Sequence, residues 1–327
     1  MTTFGDQVKQ FGGAPVGEPI RPIMGEAFFV DGTNGSDSND GRSPSAAKAT
    51  ITAGIALQTA NSTGLGDAIY VFPGTYAESI TGTMTDVSLI GLGPTPSGVK
   101  VKPTASYAYT GGLVRARVEN MSFWSPSTSN LGYAAFYATY GSGAASMSGS
   151  VINNCLFMGA NASSTVGLQI GAKAAASVWE GMADSVVSNC GFYAGGAQTT
   201  EFTTAIMMFA GDSTAQQAKK AAYRCQIRDN TIYAETNGIK LCLNSTNLHG
   251  CVISGNKIRS HQTYGPTFGI KCNYAAGSGD NTAMVIGNNI CVPGGGDAIY
   301  GFRTWEVQGN IVAVGTGTPA GESPAMS

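Results

Sequence analysis

Apolar residues in the second two-thirds of the chain recur in one phrase: an apolar residue, two small or polar residues, an Asn, then a short apolar strand. The clearest copy is Ile227-Arg-Asp-Asn230-Thr-Ile232-Tyr233. The others are Val118–Phe123, Val151–Phe157, Val186–Phe192, Ile253–Arg259, Val285–Cys291 and Val307–Ala313, the first of them imperfect. Their anchors, Asn120, Asn154, Asn189, Asn230, Asn256, Asn288 and Asn310, are 34, 35, 41, 26, 32 and 22 residues apart. Stacked structural repeats have periods of roughly 20 to 45 residues.

A second series alternates with the first: Ala135-Phe136, Gly167-Leu168, Ala205-Ile206, Gly238-Ile239, Gly269-Ile270 and Ala298-Ile299. Each small residue precedes the next Asn by 19, 22, 25, 18, 19 and 12 residues, as in a chain that winds past two fixed edges once per turn. This pattern predicts an all-β fold, a parallel β-helix whose coils stack at about 4.8 Å and bury their apolar positions against one another. Asn fits a sharp corner because it tolerates the left-handed conformation and its amide bonds locally; stacked amides can also form an internal ladder.

Length changes the picture little. The 327 residues allow two domains, but repeats lengthen without adding cores, so one β-helix domain is expected over 26–314, between an arm at 1–25 and a tail at 315–327. Gly fills 46 positions, as a chain that turns corners constantly requires. Charged residues make up 12%, about half the usual share, and the net charge is −2 with scattered basic residues. That balance argues against a nucleic-acid partner. No apolar run is long enough to span a bilayer, and Met1-Thr-Thr-Phe-Gly-Asp6 lacks the basic and apolar regions of an export signal, so synthesis in a host cytoplasm is expected. Seven cysteines, Cys155, Cys190, Cys225, Cys242, Cys251, Cys272 and Cys291, form no CxxC pair and read as buried thiols in coil interiors. No metal or cofactor is predicted.

The N-terminal stretch, rich in Gly and Pro, reads as an extended arm. Phe4, Phe11, Pro15, Val16 and Ile20 are its candidate docking residues, against the alternative of a disordered leader. Phe28–Val30 is a short strand and Asp31–Gly41 an acidic turn region, open to Asx turns or a calcium loop, although the EF-hand register fails with Ala47 where a bidentate Glu belongs. Ser45–Thr59, with Ile51, Ile55 and Leu57, reads as a helix that caps the first coil. In Lys173–Asp184 and Gly211–Tyr223 the chain leaves the coils, the second excursion with a possible short helix over Ala215–Ala222.

Phe29-Val30-Asp31, Asp37-Ser-Asn-Asp-Gly41-Arg-Ser-Pro44, the helix, then Gly66-Asp67 and Pro73-Gly-Thr-Tyr76 resemble the N-terminal coil of the pectate-lyase-like family of right-handed parallel β-helices. The resemblance covers about Phe28 to Val314 and implies the fold. It implies no single function, since the family includes lyases, hydrolases, epimerases and non-catalytic virus spikes.

Uronide-cleaving chemistry on this fold needs carboxylates clustered on one strand face. Glu180, Asp184, Glu201, Asp212, Asp229, Glu235, Asp280, Asp297, Glu306 and Glu322 show no such clustering, Arg228 and Asp229 read as a solvated turn pair, and His249 and His261 lack triad or metal company. No catalytic residue is therefore assigned. The combination resembles the β-helical proteins that tailed bacteriophages carry on capsids or tails. The expected function is a non-enzymatic virion protein, a homotrimeric capsid decoration, cement or head-fibre protein docked through the arm to the major capsid protein or another virion protein. The alternative is a tailspike that binds or depolymerises a host surface glycan, with Trp124, Trp179, Tyr264, Tyr274 and Trp305 as candidate groove aromatics.

Overall fold

A computed structural model describes residues 10–11, 14–15, 25–61, 64, 66–104, 106–125, 134–138, 146–159, 166–171, 181–194, 202–208, 222–242, 248–259, 266–273, 282–292, 297–300 and 304–314. The chain is a right-handed parallel β-helix in which each full coil passes through four rows of stacked strands. Row A holds short strands such as Met84–Thr85, Leu113–Val114, Met147–Ser148, Met182–Ala183 and Ala222–Tyr223. Row B runs from Ala27–Val30 and Asp67–Val71 through Arg117–Glu119 and Val151–Asn153 to Thr304–Gln308. Row C includes Gly74–Tyr76, Ser122–Trp124, Leu156–Gly159, Gly191–Ala194, Lys257–Arg259 and Ile311–Val314. Row D includes Tyr109–Gly111, Ala134–Ala138, Val166–Ile170, Phe202–Met208, Phe268–Asn273 and Asp297–Tyr300. The strand Thr231–Cys242 passes directly from row C into row D.

Alternation along each strand sends every second side chain into the tube. Row B stacks Phe28, Ile69, Leu89, Val118, Ile152, Val187, Ile227, Ile253 and Val285 inward, all buried and in register. Row C stacks Phe123, Phe157 and Phe192, with ring centroids 5.9 and 4.7 Å apart, before Ile232 and Ile258 continue the line. Phe136 of row D meets Phe123 edge-on at 4.8 Å and lies over Tyr109 at 4.4 Å. The small-plus-apolar series falls in register, Phe136, Leu168, Ile206, Ile239, Ile270 and Ile299 forming one stack. The small residue is needed because the entry to row D runs against row C: a methyl group on Gly238 would lie 2.4 Å from Ile258 Cγ2, and one on Gly269 2.3 Å from Ile290 Cγ2.

Two corners set the shape. Every described non-glycine residue with positive φ sits at one of them: Asp86, Arg115, Asp184 and Arg224 between rows A and B, and Asn120, Asn154, Asn189 and Asp229 between rows B and C. Glycines at +57 to +65° complete both lines, Gly149 and Gly250 in the first, Gly255, Gly287 and Gly309 in the second. A left-handed non-glycine residue costs roughly 1–2 kcal/mol. At the first corner that cost is offset across coils, where Arg115 grips Asp86 through two bonds of 2.6 and 2.7 Å and Arg224 grips Asp184 in the same way.

The register corrects the sequence reading of the Asn anchors, which occupy two adjacent positions. Asn120, Asn154 and Asn189 are the left-handed corner residues themselves, and their amides bond along the surface, Asn154 Nδ2 to Asn120 Oδ1 at 3.1 Å. Asn230, Asn256, Asn288 and Asn310 come one residue after the corner, in the inward line that Cys155 and Cys190 occupy in earlier coils. There Asn230 donates to Asn256, Asn256 to Asn288 and Asn288 to Asn310, each at 2.9 Å, while Asn256 also donates to Ile227 O and Asn288 to Ile253 O, both at 3.0 Å. The switch falls where Asp229, then Gly, takes the corner, releasing Asn to turn inward.

The N-terminal mouth is closed by helix α1 (Ile51–Asn61), which buries Ile51, Gly54, Ile55 and Gln58. Its free N–H groups meet the Glu78 carboxylate, with Ile51 N at 2.7 Å and Thr52 N at 2.9 Å, and Thr50 Oγ1 accepts from Ala53 N. The helix begins at Ile51 instead of Ser45, because Lys48 pairs with Val30 as a bridge at the sheet's edge and Pro44–Ala46 is a 3₁₀ turn. Part of the arm differs from the extended form expected. Gln10 and Phe11 pair antiparallel with Pro15 and Ala14, so the chain doubles back. Among the described residues no helix is long and apolar enough to cross a membrane.

The two Asn positions predict different mutational costs. Asn256→Ala removes the acceptor of the buried Asn230 backbone N–H, one of two acceptors of the Asn230 amide and the donor to Ile227 O, and should cost about 3 kcal/mol or more, whereas Asn154→Gly, at the left-handed surface corner, should cost under about 1 kcal/mol. Urea unfolding of the two variants compares them directly, and equal losses would contradict the division.

Candidate functional site

Row D is the row flanked by long connections on both sides, those from row C at 125–133, 160–165 and 195–201 and those to row A at 139–146, 171–181 and 209–221. Rows B and C are joined by two-residue corners such as Asn154-Cys155. The face that loops frame is where a solenoid ordinarily meets its ligands. The outward stack of row D reads Thr81, Thr110, Tyr137, Gln169, Met207, Lys240, Lys271 and Tyr300. Tyr137 packs on Tyr107 at 5.0 Å, and the Lys271 ammonium lies 3.7 Å above the Phe268 ring and 5.4 Å from that of Tyr300.

That stack contains no carboxylate. Asp297 is exposed at the start of the last row D strand, alone at the edge, and Glu235 is exposed where the chain leaves row C. Hydrolysis across a glycosidic bond requires two carboxyl groups roughly 5 to 9.5 Å apart, facing the same sugar. Several described acids elsewhere are engaged. Asp86 and Asp184 hold their corner arginines, whose hydrogen bonds keep both carboxyls below the ordinary range. Arg117 binds Glu119 bidentately, and Asn153 adds a third contact at 2.7 Å. Asp229 pairs with Arg228 at 3.0 Å in solvent, in keeping with a turn pair.

The 31–41 region takes the Asx reading. Asp31 Oδ1 accepts from Thr33 N and Asn34 N, Asp37 Oδ1 from Ala49 N and Thr50 N, and Asp40 Oδ1 from Arg42 N. Among the described residues no three metal-ligating side chains converge. Among the described residues four cysteines are buried, two in each of two stacked lines. Cys155 and Cys190 follow the Asn corner, and Cys225 and Cys251 follow the Arg224 corner. Burial first, then the neighbouring Cys190, pushes the Cys155 thiol up; for Cys225 the neighbour Cys251 leads and burial follows. Both thiols stay protonated, unfit as nucleophiles or ligands. Cys291 departs from the expected pattern. It is half-buried on the outside of row C, because the inward place there belongs to Ile290 and Val292.

Of the candidate aromatics, Trp124 points outward from row C. Trp179, Tyr264 and Tyr274 lie outside the described residues, as do His261, the docking residues Phe4, Val16 and Ile20, and most of the 215–222 excursion, whose last residue Ala222 is row A strand. Phe11 and Pro15 are placed only by their backbone pairing. His249 lies within the strand Leu248–Ser254 and not in a turn. Sequence reasoning missed what Trp124 belongs to: an outward line of Trp124, Met158, Tyr193 and Tyr233, one per coil. The signal was present, since each follows the inward residue of its copy, as in Phe123-Trp124, Phe157-Met158, Phe192-Tyr193 and Ile232-Tyr233. Tyr193 and Tyr233 stack at 5.4 Å.

The fold matches solved structures at low identity. A pectin methylesterase from Aspergillus niger is similar with a TM-score of 0.52 at 10% identity, covering 96% of this chain and 91% of that one. A rhamnogalacturonan lyase is similar with a TM-score of 0.51 at 13% identity, covering 82% and 69%. These likenesses bear on the fold alone. No protein-family model matches the chain, and no curated protein sequence matches it.

Tyr193 provides a probe of the row C line. Burial, then the neighbouring Tyr233, raises its titration above that of an ordinary tyrosine, against a lowering contact from Thr231. Replacing Tyr233 by Ala uncovers the ring and should move that titration back down, as followed by phenolate absorbance; an unchanged titration would contradict the packing.

Proposed function

We propose that the chain is a non-enzymatic structural protein of a tailed-bacteriophage particle, a trimeric β-helix of the capsid decoration, cement or head-fibre kind, docked through its N-terminal arm to the major capsid protein or another virion protein. The carboxylate-free outward stack of row D carries the non-enzymatic part. The loop-framed face presents Tyr137, Gln169, Lys240, Lys271 and Tyr300, without the pair of carboxyl groups that glycoside hydrolysis ordinarily uses. Lateral association is supported by the two ends and sides of the tube. Helix α1 covers the N-terminal edge against head-to-tail addition, while the row B exterior carries Val151, Val186, Val252 and Met284 in one line, with Gln226 between. Three tubes packed side by side would bury such flanks and resist dissociation.

A second reading, a tailspike or other receptor-binding protein that holds a host surface polysaccharide, is favoured by the aromatic line on row C. The fold it shares with a pectin methylesterase and a rhamnogalacturonan lyase supports the same reading.

Deletion of Met1–Ile20 should leave a folded trimer that no longer joins its particle. Cryo-electron microscopy of particles assembled with the full and truncated chains checks this. Density on the capsid lattice that vanishes on truncation is the expected result, incorporation of the truncated chain would contradict docking by the arm, and density only at the tail would favour the second reading.

A further inference from the structure

We propose that the outward line of row C is a binding site for an acidic polysaccharide lying along the axis of the β-helix. The inference rests on the polysaccharide reading above and gives it a face, a direction and a charge. Trp124, Met158, Tyr193 and Tyr233 occupy equivalent outward positions in four successive coils, spaced at about 4.8 Å. The Tyr193 ring lies along the sheet. A methyl group on Gly191 would sit 2.2 Å from Tyr193 Cε2 and 2.8 Å from Leu156 Cδ2, so the Tyr193 ring rests over the glycine and against Leu156. Gly191 is thus the notch over which the Tyr193 ring lies.

Cations bracket that surface. At one end Lys102 holds its ammonium 4.7 Å over the Trp124 ring, with Lys100 in the neighbouring outward line. At the other end Arg259 stacks in register after Tyr233, with Lys257 beside it, both exposed. Among the described outward positions of the row C strands the one carboxylate is Glu235, exposed two residues beyond Tyr233 where the strand passes into row D, against Lys100, Lys102, Lys257 and Arg259, although the whole chain carries a net charge of −2. The positive charge is therefore placed on this face and does not reflect overall composition. A partner that complements it offers flat apolar C–H faces to the rings and anionic groups to both ends. A polysaccharide bearing carboxylates does both along a single extended chain. Single-stranded nucleic acid is also anionic, but it is held by positive charge that tracks its backbone along the whole groove, and here the cations stand at the two ends of the line.

The test uses the full chain and isothermal titration against hyaluronan, alginate, polysialic acid, neutral dextran and single-stranded DNA. Binding of at least one acidic polysaccharide, with dextran and DNA unbound, is expected. Tyr193→Ala combined with Tyr233→Ala should weaken it about tenfold or more. Lys257→Gln combined with Arg259→Gln should weaken it several-fold and flatten its salt dependence. Thr85→Ala, on the exterior of row A, should leave it unchanged, with circular dichroism showing every variant folded. Acidic-polysaccharide binding that ignores the row C variants overturns this site while leaving the polysaccharide reading standing. Failure of all three acidic polysaccharides overturns both. Preferential binding of DNA overturns the ligand class, and loss of the trimer in the Tyr193/Tyr233 variant would make the line an interface between copies.

Discussion

The left-handed corner is the constraint on which everything else depends. A parallel coil can bury its apolar line only if each turn brings the strands back into register, and two corners per coil do this with residues held at positive φ. Asn, Asp and Gly tolerate that backbone readily; Arg does not. The appearance of Arg115 and Arg224 there is explained by the bidentate grip each has on an aspartate one or more coils away, which joins the coils at their outer edge. Within the tube, the Asn230 to Asn310 ladder satisfies backbone carbonyls that would otherwise be buried unpaired.

From that scaffold the distribution of function follows. Inward positions are filled by Phe, Ile, Leu and Val, so chemistry is confined to the outward residue of each strand and to the connections. On row D, framed by the long connections, these outward residues are hydroxyls, an amide, a thioether and amines. On row C, joined to row B by tight corners, they are rings and thioether bracketed by cations. A tube of this kind offers long, regular ladders suited to gripping an extended polymer or a flat neighbour, with no converging carboxylates among the described residues to cut one.

Much of the fold was legible in the sequence because a solenoid repeats its physical problem in every coil. The small-then-apolar series at Ala135, Gly167, Ala205, Gly238, Gly269 and Ala298 fell into one stack, since steric crowding against row C permits nothing larger. The Asn series was legible as a recurrence but not in its phase. Asn189 and Asn230 look equivalent in a string of letters, and only the placement of Asp229 in the left-handed corner moves the later asparagines into the core. The row C line escaped notice for a related reason: Tyr193 and Tyr233 are forty residues apart in the chain and become neighbours through register alone. The helix boundary was misplaced because Lys48 is drawn into a sheet bridge, a tertiary pairing that local propensity does not encode.

The proposal open to the most direct test is that the chain is non-enzymatic and leaves intact a polysaccharide held on row C. The most direct test is to incubate the full-length protein with an acidic polysaccharide that it binds and to follow polymer length by size-exclusion chromatography together with the appearance of new reducing ends. The account predicts an unchanged length distribution and no new ends. Progressive shortening of the chain, abolished by substitutions on the row D face, would contradict it.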